Sequence, residues 1–167
     1  MLAHSAGILV YKYIDGKLYV MLSHPGGPYW IKKDNAAWSI PKGLVEENEE
    51  VLDAALREFE EETGVKVDTN LIELGTIKQS SQKMVTVFAT NKDVDTNKVT
   101  SNTFEMEWPP KSGNYQEFPE NDRSQWFDIK TAKVKIFKGQ IGFLEKLVDI
   151  LDYRDTIIEN DQISFFE

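Results

Sequence analysis

Runs of apolar residues in the first part of the chain predict β-strands joined by turns. The stretches GILVYKY and KLYVMLS are rich in strand-favouring residues, and the Asp-Gly turn signal between them predicts a β-hairpin. The next segment, HPGGPYWIKKDNAA, is rich in Gly and Pro and is therefore expected to be a loop. The stretch AWSIPKG is expected to form a short strand that runs into another turn.

A helix is predicted to follow, from about Glu49 to Thr63. Asn48 is the expected N-cap, and Glu50 falls in the first turn, where acidic side chains suit the helix dipole. Gly64 suits the position just after the C-cap. The core face of the helix is predicted from apolar residues with i, i+3, i+4, i+7 spacing, which are Leu52, Ala55, Leu56 and Phe59.

The second half of the chain predicts more strands and one more helix. Strand-like runs occur at LIELGTIKQ, MVTVFAT and NTFEMEW, and SQWFDI is expected to be the last core strand. The stretch PPKSGNYQEFPEND is expected to be a loop, and KGQIGFLEKLVDIL has the apolar spacing of a packed helix. We therefore predict an α/β fold, a mixed sheet covered by helices, in one domain over residues 1–167. In the tail after about Asp152, QISFFE either adds a strand or meets a partner.

Composition and charge narrow the classes of function. The chain has 167 residues, of which 41% are hydrophobic and 28% charged, as in a globular domain. The net charge of −9 argues against sequence-independent binding to DNA or RNA. The chain has no cysteine, which excludes disulfides, zinc–thiolate sites and thiol nucleophiles. It shows neither a signal peptide nor a membrane-length apolar run, so a soluble, cytoplasmic protein without a membrane partner is expected.

Glutamates are concentrated near the end of the predicted helix, where the helix dipole disfavours them. Glu58, Glu61 and Glu62 fall on one flank beside the core face, whereas Glu60 falls on the opposite flank. A divalent cation would turn the repulsion among three carboxylates into attraction, and oxygen ligands favour Mg²⁺, Mn²⁺ or Ca²⁺. Because Mg²⁺ commonly bridges carboxylates and substrate phosphates, the cluster points to phosphate chemistry. The alternative is an acidic helix face that is merely solvated.

The residues around this cluster follow a longer pattern. From Gly43 to Val65 the chain reads GLVEENEEVLDAALREFEEETGV, which fills every fixed position of G-x5-E-x7-R-E-U-x-E-E-x-G-U, where U is apolar. This stretch resembles the Nudix box. The early hairpin, the stretch WSIPKG and the strand QWFD are also similar to the family, so the resemblance extends over about residues 3–150.

The resemblance implies a Nudix-type α/β/α sandwich in which the box forms a loop–helix–loop. It implies a hydrolase that cleaves nucleoside diphosphates linked to another moiety, with Mg²⁺ as cofactor and Mn²⁺ as a substitute. Residues that match the family's metal ligands are Glu58, Glu61 and Glu62. Arg57 matches the arginine that orients these glutamates, and Glu49 matches a supporting position. Gly43 and Gly64 would serve backbone geometry.

A general base must take a proton from the attacking water. In the family this is a box glutamate, here Glu61, or a carboxylate on a later loop or strand. Glu105 and Glu107 are candidates on one side of a strand, and Glu117 and Glu120 follow in the predicted loop. The alternative for Glu105 and Glu107 is that both simply face solvent.

Substrate contacts are predicted just before the box. Lys42 is expected to meet a phosphate, and Tyr29 or Trp30 to stack on a base, unless these aromatics cover the edge of the core. Nothing in the sequence marks His24 as a base or a ligand. The stretch PKG is similar to family members that act on dinucleoside polyphosphates.

The function predicted from sequence is hydrolysis of a phosphoanhydride bond by a metal-activated water. The expected substrates are a nucleoside triphosphate or a dinucleoside polyphosphate. Three alternatives stay open: removal of pyrophosphate from RNA 5′ ends, a non-catalytic nucleotide-binding domain, and a purely structural domain. Either a monomer or a homodimer is compatible with the sequence.

Overall fold

The predicted N-terminal hairpin is confirmed and forms the middle of the main sheet. In the computed structural model, which describes residues 2–68 and 70–154, β1 (Ala3–Ile14) pairs antiparallel with β2 (Lys17–Pro25). Asp15 and Gly16 connect them with φ values of 52° and 78°, as a two-residue hairpin turn requires. The Asp-Gly signal therefore placed the turn correctly.

The main sheet is mixed, as predicted. Its further strands are β3 (Lys42–Leu44), β4 (Ile72–Ser80), β5 (Lys83–Asn91) and, last in the chain, the strand Asn121–Asp128. The strand order is β4-β5-β1-β2 and then Asn121–Asp128, with β3 paired to β1. The pairings β1–β2, β1–β3, β4–β5 and β2 with Asn121–Asp128 are antiparallel. The pairing of β1 with β5 is parallel.

A separate hairpin was missed in the sequence. The strand β6 (Thr103–Glu107) pairs with β7 (Tyr115–Pro119) in a two-stranded sheet, and Asn121–Asp128 is therefore β8. The prediction that PPKSGNYQEFPEND is a loop is wrong for Tyr115–Pro119, and also for Asn121 and Asp122, which begin β8. The stretch Tyr115–Pro119 is mostly exposed and gains its strand structure from pairing with β6, a contact that its own composition does not signal.

The box helix α1 runs from Val51 to Thr63, so it begins later than predicted. Asn48 is not its N-cap, because Asn48 has a left-handed backbone with φ of 64°. The N-cap position is Glu50, which makes no side-chain capping bond within the described residues. Gly64 ends the helix with φ of 74°, and its N–H donates to the carbonyl of Glu60 at 2.7 Å, as expected for a glycine at a helix end.

The core face of α1 is rotated from the predicted stripe. Its buried residues are Ala54, Ala55, Phe59 and Thr63. Leu52 and Leu56 are only partly buried, so the prediction is right for Ala55 and Phe59 alone. The reason is that α1 packs on Ala6 and Ile8 of β1. The small side chains of Ala54 and Ala55 both pack against this surface.

The C-terminal helix is confirmed as α3, and a short helix before it was not predicted. The helix α2 (Ile129–Lys135) is capped by Asp128, whose side chain accepts from the backbone N–H of Thr131, and α3 spans Ile141–Leu151. Within the stretch AWSIPKG, which was predicted to be a strand, only Lys42 and Gly43 belong to β3. Trp38 and Ser39 make isolated bridges instead. The tail stretch QISFFE lies outside the described residues.

Two hydrophobic cores lie on opposite faces of the sheet, which confirms the α/β/α sandwich. One core contains Leu9, Leu22, Trp38, Phe127 and residues of α2 and α3. The other packs α1 against even-numbered residues of β1. Among the described helices, none is long and apolar enough to cross a membrane. That residues 1–167 form a single domain stays a prediction.

Candidate active site

Arg57 is the centre of a hydrogen-bonded network on α1. Its Nε and Nη2 donate to the two carboxylate oxygens of Glu49, at 2.8 and 2.9 Å. Its Nη1 donates to Glu58 at 2.8 Å and to Glu61 at 3.1 Å, and Nη2 also reaches the carbonyl of Leu44 at 3.0 Å. Arg57 therefore fixes the loop before α1 and turns two box glutamates toward one point.

The Glu49 carboxylate is held in its charged form. It accepts from Arg57 and from the backbone N–H of Glu46 at 3.0 Å. These hydrogen bonds lower the pKa of Glu49 to about 2, and the same pairing raises the pKa of Arg57. The supporting role expected for Glu49 corresponds to this pair, which joins the loop to the helix.

Glu58 fills a space that Gly43 leaves open. A Cβ built on Gly43 would lie 2.0 Å from Oε2 of Glu58, so only a glycine fits there while Glu58 keeps this position. Burial is the main cause of the raised pKa of Glu58, and it outweighs the opposing effect of Arg57. Gly43 therefore leaves room for the Glu58 side chain, in addition to the role in loop geometry expected for it.

Glu62 points to a different partner from the other box glutamates. Its Oε2 accepts a hydrogen bond from the side-chain amide of Asn121. Burial, followed by repulsion from Glu120 and Glu58, raises the pKa of Glu62 to about 7. Without a cation, this carboxylate therefore takes up a proton near neutral pH.

Backbone contacts bring Glu120 and Asn121 to the end of α1. The N–H of Asn102 donates to the carbonyl of Glu61 at 3.1 Å, and the N–H of Thr100 donates to that of Thr63 at 2.9 Å. The N–H of Glu120 then donates to Asn102 at 2.7 Å. These donors satisfy carbonyls that a helix end leaves unpaired, and they dock both ends of the β6–β7 hairpin beside Glu62.

The candidates for general base are separated by this arrangement. Glu120 lies close enough to Glu62 to raise its pKa, whereas Glu105 and Glu107 lie on β6. Glu105 faces Glu117 across the hairpin, and Glu117 accepts from Thr103. Within residues 2–68 and 70–154, no hydrogen bond joins Glu105, Glu107 or Glu117 to a box glutamate. The structure therefore places Glu120 beside Glu62, whereas Glu105 and Glu107 share no hydrogen bond with the box glutamates in the described residues.

The predicted substrate contacts differ in their surroundings. Lys42 is partly buried on β3, and its pKa is lowered by burial and by Lys83, while the nearby Glu62 and Glu58 oppose this shift. Tyr29 is 54% exposed, and its ring centroid lies 5.2 Å from that of Trp108 in an edge-to-face contact. Trp30 instead packs against the core that contains Trp38, as the alternative reading proposed.

Residues from the second half of the chain complete the site, and sequence patterns did not single them out. Asn121 and Trp108 lie outside the box and belong to no recognised motif. Their sequence separation from Glu62 and Tyr29 hides contacts that only the β6–β7 hairpin creates. Asn121 lies inside the stretch PPKSGNYQEFPEND, which was predicted to be a loop, and no pattern there signals its contact with Glu62.

The donor chemistry of the site fits a hard divalent cation. Glu58, Glu61 and Glu62 offer only carboxylate oxygens, and repulsion from Glu120 and Glu58 adds to burial in raising the pKa of Glu62. In the described part of the chain, however, no three His, Asp or Glu side chains already surround a common point suited to a metal. Arg57 and Asn121 hold their oxygens instead, so a cation would have to draw the carboxylates together.

Comparison with known protein families gives a match over most of the chain. The NUDIX domain family model matches residues 3–147. Nudix hydrolase 6 of Arabidopsis thaliana is 38% identical over 55 residues, and RNA pyrophosphohydrolase of Bartonella henselae is 42% identical over 62 residues. These matches cover 33% and 37% of this chain, and 19% and 35% of the two relatives, respectively.

Solved structures with the same fold cover nearly the whole described chain. A Caenorhabditis elegans Ap4A hydrolase binary complex has a TM-score of 0.61 at 20% identity, covering 90% of this chain and 98% of that one. The NUDIX domain of Shewanella oneidensis NrtR, complexed with ADP ribose, has a TM-score of 0.62 at 14% identity, covering 90% and 89%. At these identities the similarity establishes the fold alone.

Proposed function

Because this chain belongs to the NUDIX domain family, we propose that it is a divalent-metal-dependent hydrolase of phosphoanhydride bonds. The family acts on nucleotide-linked substrates and generally uses divalent metal ions. The proposed substrate is a nucleoside diphosphate linked to another moiety, with a nucleoside triphosphate or a dinucleoside polyphosphate as the first candidates. The proposed cofactor is Mg²⁺, for which Mn²⁺ substitutes.

The observation that carries this proposal is the convergence of Arg57 on three box glutamates. Arg57 is paired with Glu49, and its Nη1 holds one oxygen each of Glu58 and Glu61. A merely solvated acidic face would leave these carboxylates spread in water, without a shared partner. The side chain of Glu58 is only 13% exposed, which further opposes a purely surface role.

The residues around the glutamate cluster are assigned to binding of the cation and of the substrate. Glu58, Glu61 and Glu62 would hold the cation, and Arg57 would keep the first two correctly oriented. The chemistry that bound Mg²⁺ supplies is neutralisation of phosphate charge and acidification of a water molecule. Lys42, beside Glu58 and Glu62, would contact a substrate phosphate.

Proton acceptance is assigned to a carboxylate at the end of α1. Glu61 and Glu120 are the candidates, because Glu120 faces Glu62 and Glu61 belongs to the box. Glu105 and Glu107 rank after these two, because in the described residues neither shares a hydrogen bond with a box glutamate. Tyr29 offers an exposed ring beside Trp108 on which a base would stack.

Removal of pyrophosphate from RNA 5′ ends is the second candidate function. It is supported by the 42% identity over 62 residues to an RNA pyrophosphohydrolase. Against it stands the net charge of −9, which opposes a long track for an RNA chain. A short 5′ end in the site would not require such a track.

The proposed function is tested with a substrate panel in Mg²⁺. The panel contains nucleoside triphosphates, Ap4A, ADP-ribose, other nucleotide sugars and 5′-triphosphate RNA, and products are separated by chromatography. We expect one class to be cleaved with kcat/KM of at least about 10⁴ M⁻¹s⁻¹. The variant Glu61→Gln/Glu62→Gln should abolish cleavage, whereas Glu60→Gln, on an exposed position of the same helix, should not. Cleavage that survives in the double variant would contradict the proposal, and binding without cleavage would favour a non-catalytic domain.

A further inference from the structure

His24 is a fully buried histidine with two hydrogen-bond partners. It lies near the end of β2 and is 0% exposed. Its Nδ1 is 3.0 and 3.1 Å from the two carboxylate oxygens of Asp122, and its Nε2 is 2.6 Å from the carbonyl oxygen of Lys33. The ring also contacts Trp38 edge-to-face, with 5.1 Å between centroids. Nothing in the proposed chemistry uses this residue.

The partners of His24 hold its ring from two sides. A carbonyl oxygen and the oxygens of a carboxylate lie within hydrogen-bond distance of its two nitrogens. His24 is fully buried, whereas the side chain of its partner Asp122 is 28% exposed. Two other charged groups contact Trp38, the neighbour of the His24 ring. The guanidinium carbon of Arg123 lies 5.0 Å from the centroid of the Trp38 ring, and Asp34 accepts a hydrogen bond from Trp38 Nε1 at 2.9 Å. Lys135 in turn pairs with Asp34.

A bulge in β8 lies directly at this pair. His24 is paired with Arg123, but the next residue, Pro25, is paired with Asn121, so Asp122 is left out of the ladder. Such an extra residue changes the direction in which neighbouring side chains point. Here Asp122 turns to His24, while Asn121 turns to Glu62 on α1. The bulge thus connects the His24–Asp122 pair to a proposed metal ligand.

We propose that His24 and Asp122 are a positioning pair, which holds the β8 bulge so that the Asn121 amide is directed at Glu62. This inference rests on the proposed function, because it treats Glu62 as a metal ligand. Asn121 binds one carboxylate oxygen, Oε2, which fixes the Glu62 side chain and leaves Oε1 available to a cation. Hydrogen bonds of this kind to a metal-binding carboxylate change metal affinity or activity by about 10–100-fold.

The first test measures Mn²⁺ affinity by titration calorimetry. We expect Asn121→Ala, His24→Gln and Asp122→Asn each to weaken binding about tenfold relative to the unchanged protein. The double variant His24→Gln/Asp122→Asn should be no weaker than either single variant, because both changes break the same pair. Ser124→Ala is the matched control: it removes a hydrogen bond to Ser23 across the same two strands, at 3.0 Å, and leaves the bulge intact. Its Mn²⁺ affinity should not change.

Activity and spectroscopy separate positioning from simple stability. On a cleaved substrate, His24→Gln and Asp122→Asn should lower kcat and leave KM within about twofold, since neither touches the proposed nucleotide contacts. In imidazole ¹⁵N spectra, the His24 signals should shift in Asp122→Asn and stay unchanged in Ser124→Ala, because only the first change alters a partner of the ring. The chain has two histidines, so a His4→Asn variant assigns the signals.

Three outcomes would overturn the inference. One is Mn²⁺ affinity that is unchanged in Asp122→Asn while Asn121→Ala weakens it. Another is a set of His24 signals that do not shift in Asp122→Asn, and the third is equal weakening by Ser124→Ala. If His24→Gln does not fold, the isosteric Asp122→Asn changes the same hydrogen-bonded pair. A protein that binds Mn²⁺ but cleaves nothing refutes the proposed function alone, because the calorimetric and spectroscopic results still decide the role of the pair.

Discussion

Arg57 binds the carboxylate of Glu49 through two parallel hydrogen bonds, from Nε at 2.8 Å and from Nη2 at 2.9 Å. Its remaining nitrogen holds Glu58 and Glu61. A single guanidinium therefore joins the loop before α1 to two of the proposed metal ligands. This relationship explains why an arginine, with its planar fork of donors, occupies the position.

Arg57→Lys should lower Mn²⁺ affinity and kcat by about 10–100-fold, because a lysine cannot reproduce the fork that orients the carboxylates. Titration calorimetry and steady-state kinetics provide the measurements. Glu60→Gln serves as the control, since Glu60 is exposed and approaches only Lys66, at 3.9 Å, among the described ion pairs. Unchanged Mn²⁺ affinity in Arg57→Lys would show that the network is dispensable.

Glu49→Gln should reduce stability at neutral pH but have little effect in acid. The folded-state pKa of Glu49 is about 2, below its ordinary value of 4.5. A lowered pKa contributes stability above about pH 5 that is lost as the pH falls toward 2. Urea unfolding at several pH values should therefore show the difference between the two proteins shrinking from pH 5 downward. A difference that does not depend on pH would exclude the ion pair as its source.

Mn²⁺ binding should weaken as the pH falls below about 7. Glu62 has a pKa raised to about 7, so in the metal-free protein it must lose a proton before it binds a cation. Because the folded protein binds this proton more tightly than the unfolded chain does, the metal-free protein should lose stability as the pH rises from about 4.5 to 7. Calorimetry across this range measures the first effect and urea unfolding the second.

Glu120→Gln tests the cause of this pH dependence. Repulsion from Glu120 is one of the causes that raise the pKa of Glu62, so its removal should move the bend in Mn²⁺ affinity to lower pH. Glu62→Gln should abolish the bend. If the same bend persists in Glu62→Gln, another group is responsible for it.

Gly43→Ala should separate folding from activity. The new Cβ would lie 2.0 Å from the end of the Glu58 side chain, which can swing away, so the fold should tolerate the change. Glu58 would then lose its place in the cluster, and kcat and Mn²⁺ affinity should fall about tenfold or more. Thermal unfolding alongside kinetics checks both halves. A large loss of Tm with unchanged specific activity would contradict this account.

Tyr29→Ala and Trp30→Ala should change different properties of the protein, substrate binding in the first case and stability in the second. Tyr29 is exposed, and losing a stacking surface should raise KM about tenfold, within the range of about 1–3 kcal/mol for base stacking. Trp30 packs against the core, so its removal should lower Tm and leave KM nearly unchanged. Kinetics and thermal unfolding of both variants distinguish a binding surface from a structural one. A KM that rises only in Trp30→Ala would reverse the assignment.

The sequence alone determined the features that depend on local periodicity. The Asp-Gly turn placed the β1–β2 hairpin, and Gly64 marked the end of α1, because each demands a backbone conformation that few residues adopt. Helical spacing put Glu58, Glu61 and Glu62 on one flank, and the complete box identified the family. These signals lie within a few residues of one another.

The partners of these glutamates depend on contacts that the three-dimensional fold creates. Asn121 reaches Glu62 because two backbone contacts dock the β6–β7 hairpin on α1, and because a bulge leaves Asp122 out of the β2–β8 ladder. The same register buries His24 against Asp122. Strand register and docking depend on contacts between residues far apart in the chain, and such contacts leave no periodic trace in the sequence.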